Sequence, residues 1–72
     1  MTVEDKMRQV MELRKRQGWN GDYVKGETAF ILSLVQAGGS PESIARETLN
    51  KDWPSRVAKF AGSPGYSKVM GL

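Results

Sequence analysis

Short glycine and proline breaks divide this chain of 72 residues, and they constrain its fold more than any other feature. Gly18 closes the first apolar-periodic segment, "GGSP" at residues 38–41 closes the second, and "DWP" at residues 52–54 interrupts the third. Glycine ends helices because it tolerates left-handed backbone conformations, whereas proline is accommodated in the first turn of a new helix. The segments between the breaks are therefore predicted to be short helices within one domain.

The first two segments have the apolar spacing of helices. Residues 2–17 place apolar side chains on one face, and Thr2 is expected to cap the start. Cations close this helix and suit the negative end of its dipole. Residues 27–37 carry the strongest apolar stripe of the chain. The side chains expected inside from these two helices are Val3, Met7, Val10, Met11, Phe30, Ile31, Leu34 and Val35.

Two further helices are predicted after the "GGSP" break. Ser40 is expected to cap the third helix, with Pro41 at its first position, and this helix is expected to end near residues 50–51. Asp52 is the expected cap of the fourth. The side chains expected to point inward are Ile44, Ala45 and Leu49 from the third helix, and Val57 and Phe60 from the fourth.

The last eleven residues, "GSPGYSKVMGL", contain three glycines and one proline. This content favours an irregular and mobile tail over another regular element. The predicted fold is therefore all-α: a small three-to-four-helix orthogonal bundle of helix-turn-helix type over residues 1–61. Residues 62–72 are predicted to form a flexible C-terminal tail.

Composition restricts the chemistry that this chain can perform. It has no cysteine and no histidine, which excludes disulfides and a Cys- or His-based zinc site. No general base accompanies its serines, so we expect no enzyme activity, no cofactor, no metal and no small-molecule substrate. The N-terminus lacks the apolar centre of a secretory signal, and no apolar run approaches the ~20 residues of a membrane span. A cytoplasmic location without membrane partners is expected.

The segment "ILSLVQAGGSPESIA" resembles LuxR-type and related trihelical DNA-binding domains, which combine an apolar helix, Gly-x-Ser and a following Ile-Ala pair. The matching positions here are Gly38, Ser40, Ile44 and Ala45. The chain is also similar to GcrA-type cell-cycle regulators, through this segment and the C-terminal "GL". The downstream half departs from the LuxR pattern, since Thr48 stands where a leucine is expected. The resemblance spans residues 30–60 and implies a helix-turn-helix unit that binds duplex DNA.

If the resemblance holds, the fourth helix presents the DNA-reading surface. The net charge is +3 and the sequence pI is near 9.5, which suits an anionic partner. Candidate DNA contacts are Asn50, Lys51, Ser55, Arg56 and Lys59, which equally suit an ordinary solvated helix face. Arg14, Lys15 and Arg16 are candidates for a second phosphate or partner contact, although cations at a helix C-terminus also favour the helix itself. A single domain of this size would contact few phosphates, so a homodimer or a partner protein is expected to assist.

The alternative function is a small protein-binding regulator, such as a phage-encoded protein that docks on host RNA polymerase without binding DNA. Trp19 and Tyr23 are then the candidate partner contacts, since exposed aromatic residues are frequent hot spots of protein interfaces. Acidic residues near the basic ones, such as Glu47 and Asp52, keep this alternative open. Both functions belong to transcription regulation.

Overall fold

A computed structural model describes residues 2–71, and these residues form five helices and no strand. The helices are α1 (Val3–Arg16), α2 (Glu27–Gln36), α3 (Pro41–Glu47), α4 (Trp53–Ala61) and α5 (Pro64–Met70). Central α2 contacts each of the other four helices, while α1 also packs against α3 and α4 against α5. The all-α class predicted from the sequence is confirmed. Met1 and the Leu72 of the "GL" resemblance lie outside the described residues.

The ends of α1 and α2 are built as their sequences predict. Thr2 accepts a hydrogen bond from the backbone N–H of Asp5, and the Asp5 carboxylate accepts one from the N–H of Thr2. This reciprocal pair is a capping box, and it holds the pKa of Asp5 below its ordinary value. Gly18 and Gly38 end the two helices with φ of +98° and +96°, which lets the next backbone N–H groups return to the last carbonyls.

The hydrophobic core lies between α1, α2, α3 and α4. Its buried members are Val10, Ala29, Ile31, Val35, Ile44, Ala45, Trp53 and Val57, with Met7, Tyr23, Phe30 and Leu34 packed around them. Each fully buried aliphatic side chain contributes ~1.5–3 kcal/mol of transfer free energy. Such a core is small, and a domain of this length buries only ~60% of the surface of its unfolded chain.

Some predictions about the third and fourth helices are wrong. α3 ends at Glu47, three to four residues earlier than expected, because residues 48–52 leave the helix in consecutive turns. Leu49 therefore points outward and is 62% exposed. Asp52 stands at the N-cap position of α4, but its side chain makes no capping hydrogen bond. Phe60 is half-buried and stacks on Phe30 instead of entering the core.

The expectation of an irregular tail is wrong for residues 64–70, which form α5. Pro64 occupies the first position of this helix as Pro41 does in α3, where proline is favourable, but the Ser63 side chain makes no capping hydrogen bond, unlike that of Ser40. The Tyr66 ring meets the Phe60 ring edge-to-face at 6.3 Å, and α5 packs on α2 and α4. These tertiary contacts offset the weak intrinsic helix propensity of a glycine-containing segment.

Candidate functional site

Four of the five candidate DNA contacts lie on the surface around the start and outer side of α4. Trp53 and Val57 are buried and fix the inner side of this helix against the core. Ser55 and Lys59 are four residues apart, so they share a helix face, and both are exposed. Asn50 and Lys51 are exposed in the turn before the helix.

Arg56, the fifth candidate, is partly engaged inside the molecule. Its Nη2 lies 3.9 Å from Oε1 of Glu47, and both side chains are about one-third exposed. The Arg56 guanidinium carbon also lies 5.5 Å from the centroid of the Phe30 ring and 5.7 Å from that of Trp53. An ion pair this long and this exposed contributes ~0–1 kcal/mol, so it restrains Arg56 only weakly.

The sign of the charges on this surface differs between α4 and the segments around it. α4 carries Arg56 and Lys59 and no acidic residue. Exposed Asp52 precedes the helix, and Glu47 lies beside Arg56 at the end of α3. Carboxylates therefore lie beside the cations from outside α4, whereas α4 itself contributes none.

The second group of candidate cations, Arg14, Lys15 and Arg16, does not lie on one surface. Lys15 and Arg16 are exposed, but the Arg14 side chain is only 8% exposed, and its Nη2 lies 2.8 Å from Oε2 of Glu27. Because consecutive helical residues point in different directions, Arg14 faces α2 while its neighbours face solvent. The structure thus separates the three residues that the sequence places side by side.

Glu27 is a buried polar centre that sequence reasoning missed. Its Oε2 lies 2.8 Å from Nη2 of Arg14 in an ion pair, and it accepts a hydrogen bond from the indole N–H of Trp53 at 2.8 Å. Its Oε1 accepts one from the backbone N–H of Val24 at 3.2 Å. One carboxylate therefore joins α1, the loop before α2, and α4. No local signal could have revealed this role, because Trp53 is 26 positions away in the chain.

The loop between α1 and α2 is folded against this centre. The Arg14 guanidinium carbon lies 4.2 Å from the Trp19 ring centroid and 5.7 Å from that of Tyr23, and the two rings meet edge-to-face at 4.8 Å. Such cation–π contacts are favourable where the cation is withdrawn from water. Gly26 then closes the loop at φ of +86°, where an added Cβ would lie 2.7 Å from Cβ of Ala61.

The candidate partner contacts Trp19 and Tyr23 are consequently half-buried and used partly inside the molecule. The Trp19 indole N–H donates to the backbone carbonyl of Asp22. Burial raises the pKa of the Tyr23 hydroxyl, the Arg14 charge opposes this rise, and the Glu27 charge adds to it. Both aromatic side chains therefore help to cover the Arg14–Glu27 pair, whatever else they contact.

No helix among residues 2–71 has the length and apolar content needed to cross a bilayer. Comparison of the chain with protein-family models, with curated proteins and with solved structures finds no match.

Proposed function

We propose that this chain is a small transcription regulator that binds duplex DNA, with α3, the following turn and α4 acting as a helix-turn-helix unit. The observation that carries this proposal is the two-sided character of α4. Its inner side is fixed by buried Trp53 and Val57, while its outer side exposes Ser55 and Lys59 and carries no acid.

The outer side of α4 suits close approach to a groove. An α-helix fits the major groove of B-form DNA, where side chains reach the edges of the bases. Ser55 and Ala58 are both exposed and small, so they would let the helix backbone come near the bases. The resemblance of residues 30–60 to trihelical DNA-binding domains supports the same assignment, since Gly38, Ser40 and Ile44 perform the turn, cap and core roles that it implies.

The candidate residues divide by chemistry into positioning and base-reading groups. Lys51 and Lys59 are compact exposed charges that suit phosphates. Arg56 can bind guanine through two hydrogen bonds once it leaves Glu47, and Asn50 can bind adenine in the same way. Only three cations are available on this surface, so one copy would bind weakly, and a second copy or a partner protein would be needed for tight binding.

A salt titration with a labelled duplex tests this function. If Lys51 and Lys59 each neutralise one phosphate, log affinity should fall against log salt with a slope of about −1.8. Lys59→Gln should reduce the magnitude of that slope by about 0.9.

The matched control is Lys68→Gln, which removes an exposed cation from α5 instead of α4. We expect this variant to keep the wild-type slope. Equal losses in the two variants would show that net charge alone attracts DNA, and absence of binding at low salt would reject the proposal.

A further inference from the structure

A cleft lies where the end of α1 meets the turn after α3. Its volume is about 230 Å3. Its lining residues come from two separate parts of the chain, residues 14–19 and residues 48–49. None of its lining residues is acidic. They are Arg14, Gln17, Gly18, Trp19, Thr48 and Leu49.

The cleft has an apolar wall that is open to solvent. Leu49 is 62% exposed, and the half-buried ring of Trp19 lines the same cleft. A single exposed leucine is common on protein surfaces and by itself indicates nothing. Its position in a concave site beside an aromatic ring, however, is the arrangement that receives an apolar side chain.

Arg14, which lines the cleft, carries a buried hydrogen-bond donor that has no partner within residues 2–71. The Arg14 side chain is more than nine-tenths buried, and Glu27 binds only its Nη2. Nη1 is buried as well and has no hydrogen-bond partner within residues 2–71. A buried donor left unpaired costs free energy, and a guanidinium forms its strongest hydrogen bonds with carboxylates.

We propose that this cleft is a docking site for a protein partner that presents a large apolar side chain next to a carboxylate. The apolar side chain packs against Leu49 and Trp19, and the carboxylate accepts from Nη1 of Arg14. Exposed Lys15 and Arg16 adjoin lining residues in the chain and favour an acidic segment, while Glu47, next to Thr48, is paired with Arg56. Because the Trp19 ring covers the guanidinium, the indole moves aside when the partner docks.

Short peptides test this site without any DNA. The probe is acetyl-Gly-Leu-Asp-Gly-amide, followed by proton–nitrogen NMR of the full chain. We expect saturable shifts of the Trp19 indole and the Leu49 amide, with a much smaller shift of the Trp53 indole, which is bound to Glu27 in the interior. Replacing Asp by Asn, or Leu by Ala, in the probe should weaken binding about tenfold.

A matched pair of variants separates the cleft from general surface effects. Leu49→Ser and Val24→Ser remove apolar side chains that are 62% and 60% exposed, and Val24 does not line the cleft. Leu49→Ser should weaken binding of the probe about tenfold, and Val24→Ser should leave it unchanged. Thermal unfolding followed by circular dichroism would show that both variants remain folded.

Three outcomes would overturn the proposal. Equal binding of the Asp- and Asn-containing probes would remove the role of the Arg14 donor. Equal effects of the two variants would remove the role of the cleft. Shifts of the same resonances on raising the protein concentration, with no probe present, would assign the cleft to a second copy of this chain.

Discussion

Arg14 and Arg56 have similar partners but very different environments. Each guanidinium lies near a glutamate and over aromatic rings. Arg14 and Glu27 are separated by 2.8 Å, with side chains 8% and 4% exposed. Arg56 and Glu47 are separated by 3.9 Å, with side chains 34% and 37% exposed.

This difference assigns the two arginines to different tasks. A buried charge that loses its partner is left in a poorly solvated interior, whereas a half-exposed charge is solvated by water instead. Arg14 is therefore part of the architecture that joins α1, α2 and α4. Arg56 remains available for an external anion. Trp53 connects the two regions, since its indole N–H donates to Glu27 and its ring lies 5.7 Å from the Arg56 guanidinium carbon.

The largest effect is expected when Glu27 is changed. Glu27→Gln leaves the Arg14 charge buried without its counter-charge, so it should lower the free energy of unfolding by ~3–5 kcal/mol. Small domains have ~5–15 kcal/mol in total, so this loss is severe. Urea unfolding followed by circular dichroism measures it, with the exposed Glu42→Gln as the charge-matched control.

A double variant sharpens the same test. Adding Arg14→Met to Glu27→Gln removes the unpaired charge and keeps an acceptor for the Trp53 indole, so stability should recover in large part. If the single variant lost no more stability than Glu42→Gln, the assignment of this pair to the architecture would be wrong.

A smaller effect is expected at the Arg56–Glu47 pair. Glu47→Gln should change the free energy of unfolding by less than ~1 kcal/mol, because both side chains of the pair are about one-third exposed. The same change frees Arg56 and should strengthen duplex binding by about 1.4- to fivefold, which corresponds to the ~0.2–1 kcal/mol that such pairs contribute. Fluorescence titration with a labelled duplex measures the affinity.

Glu42→Gln is again the control, because it removes the same charge from α3 at a residue that does not pair with Arg56. If both variants strengthened binding equally, the gain would come from net charge and not from release of Arg56. A loss of several kcal/mol in Glu47→Gln would abolish the contrast between the two arginines.

The smallest effect is expected at Tyr23, beside the buried pair. Burial and, to a lesser extent, Glu27 raise the pKa of Tyr23 above its ordinary 10.0, while Arg14 opposes the rise. The folded state then holds this proton more tightly than the unfolded state does. The stabilisation that results from this tighter proton binding is fully present below the pKa that Tyr23 has in the unfolded state. It is lost as pH rises through the pKa that Tyr23 has in the folded state. The phenolate absorbance of wild type minus that of Tyr23→Phe should therefore titrate above pH 10.0.

A Tyr23 titration at or below the ordinary value would contradict this assignment. It would mean that the hydroxyl is more solvated, or closer to Arg14, than the packing of the loop on the ion pair requires. The loop would then be a separate surface and not part of the buried centre.

Local chemistry explains which parts of the fold were predictable. The caps Thr2 and Ser40 and the turn at Gly38 act within a few residues, so their roles follow from short stretches of sequence. The early end of α3 was not predictable, because Leu49 continues the apolar pattern although the chain has left the helix. The C-terminal segment was predicted to be irregular because of its glycines. Residues 64–70 nevertheless form a helix, and this helix packs on α2 and α4.

The candidate site also has features that the sequence predicts and features that it does not. Exposure of Ser55 and Lys59 follows from the buried positions of Trp53 and Val57 in one amphipathic helix, and Asn50 and Lys51 are exposed in the turn before it. The environments of Arg14 and Arg56 do not follow from the sequence, since each depends on a glutamate on another helix.

The sequence by itself determined the short helices, their caps and their apolar faces, because these depend on backbone geometry and on neighbours within a turn or two. Only the tertiary structure decided which cations stay free, because a charge is neutralised by whatever the folded chain brings within a few ångströms. Thus Arg14 is enclosed with Glu27, whereas Lys59 on the outer side of α4 stays in solvent.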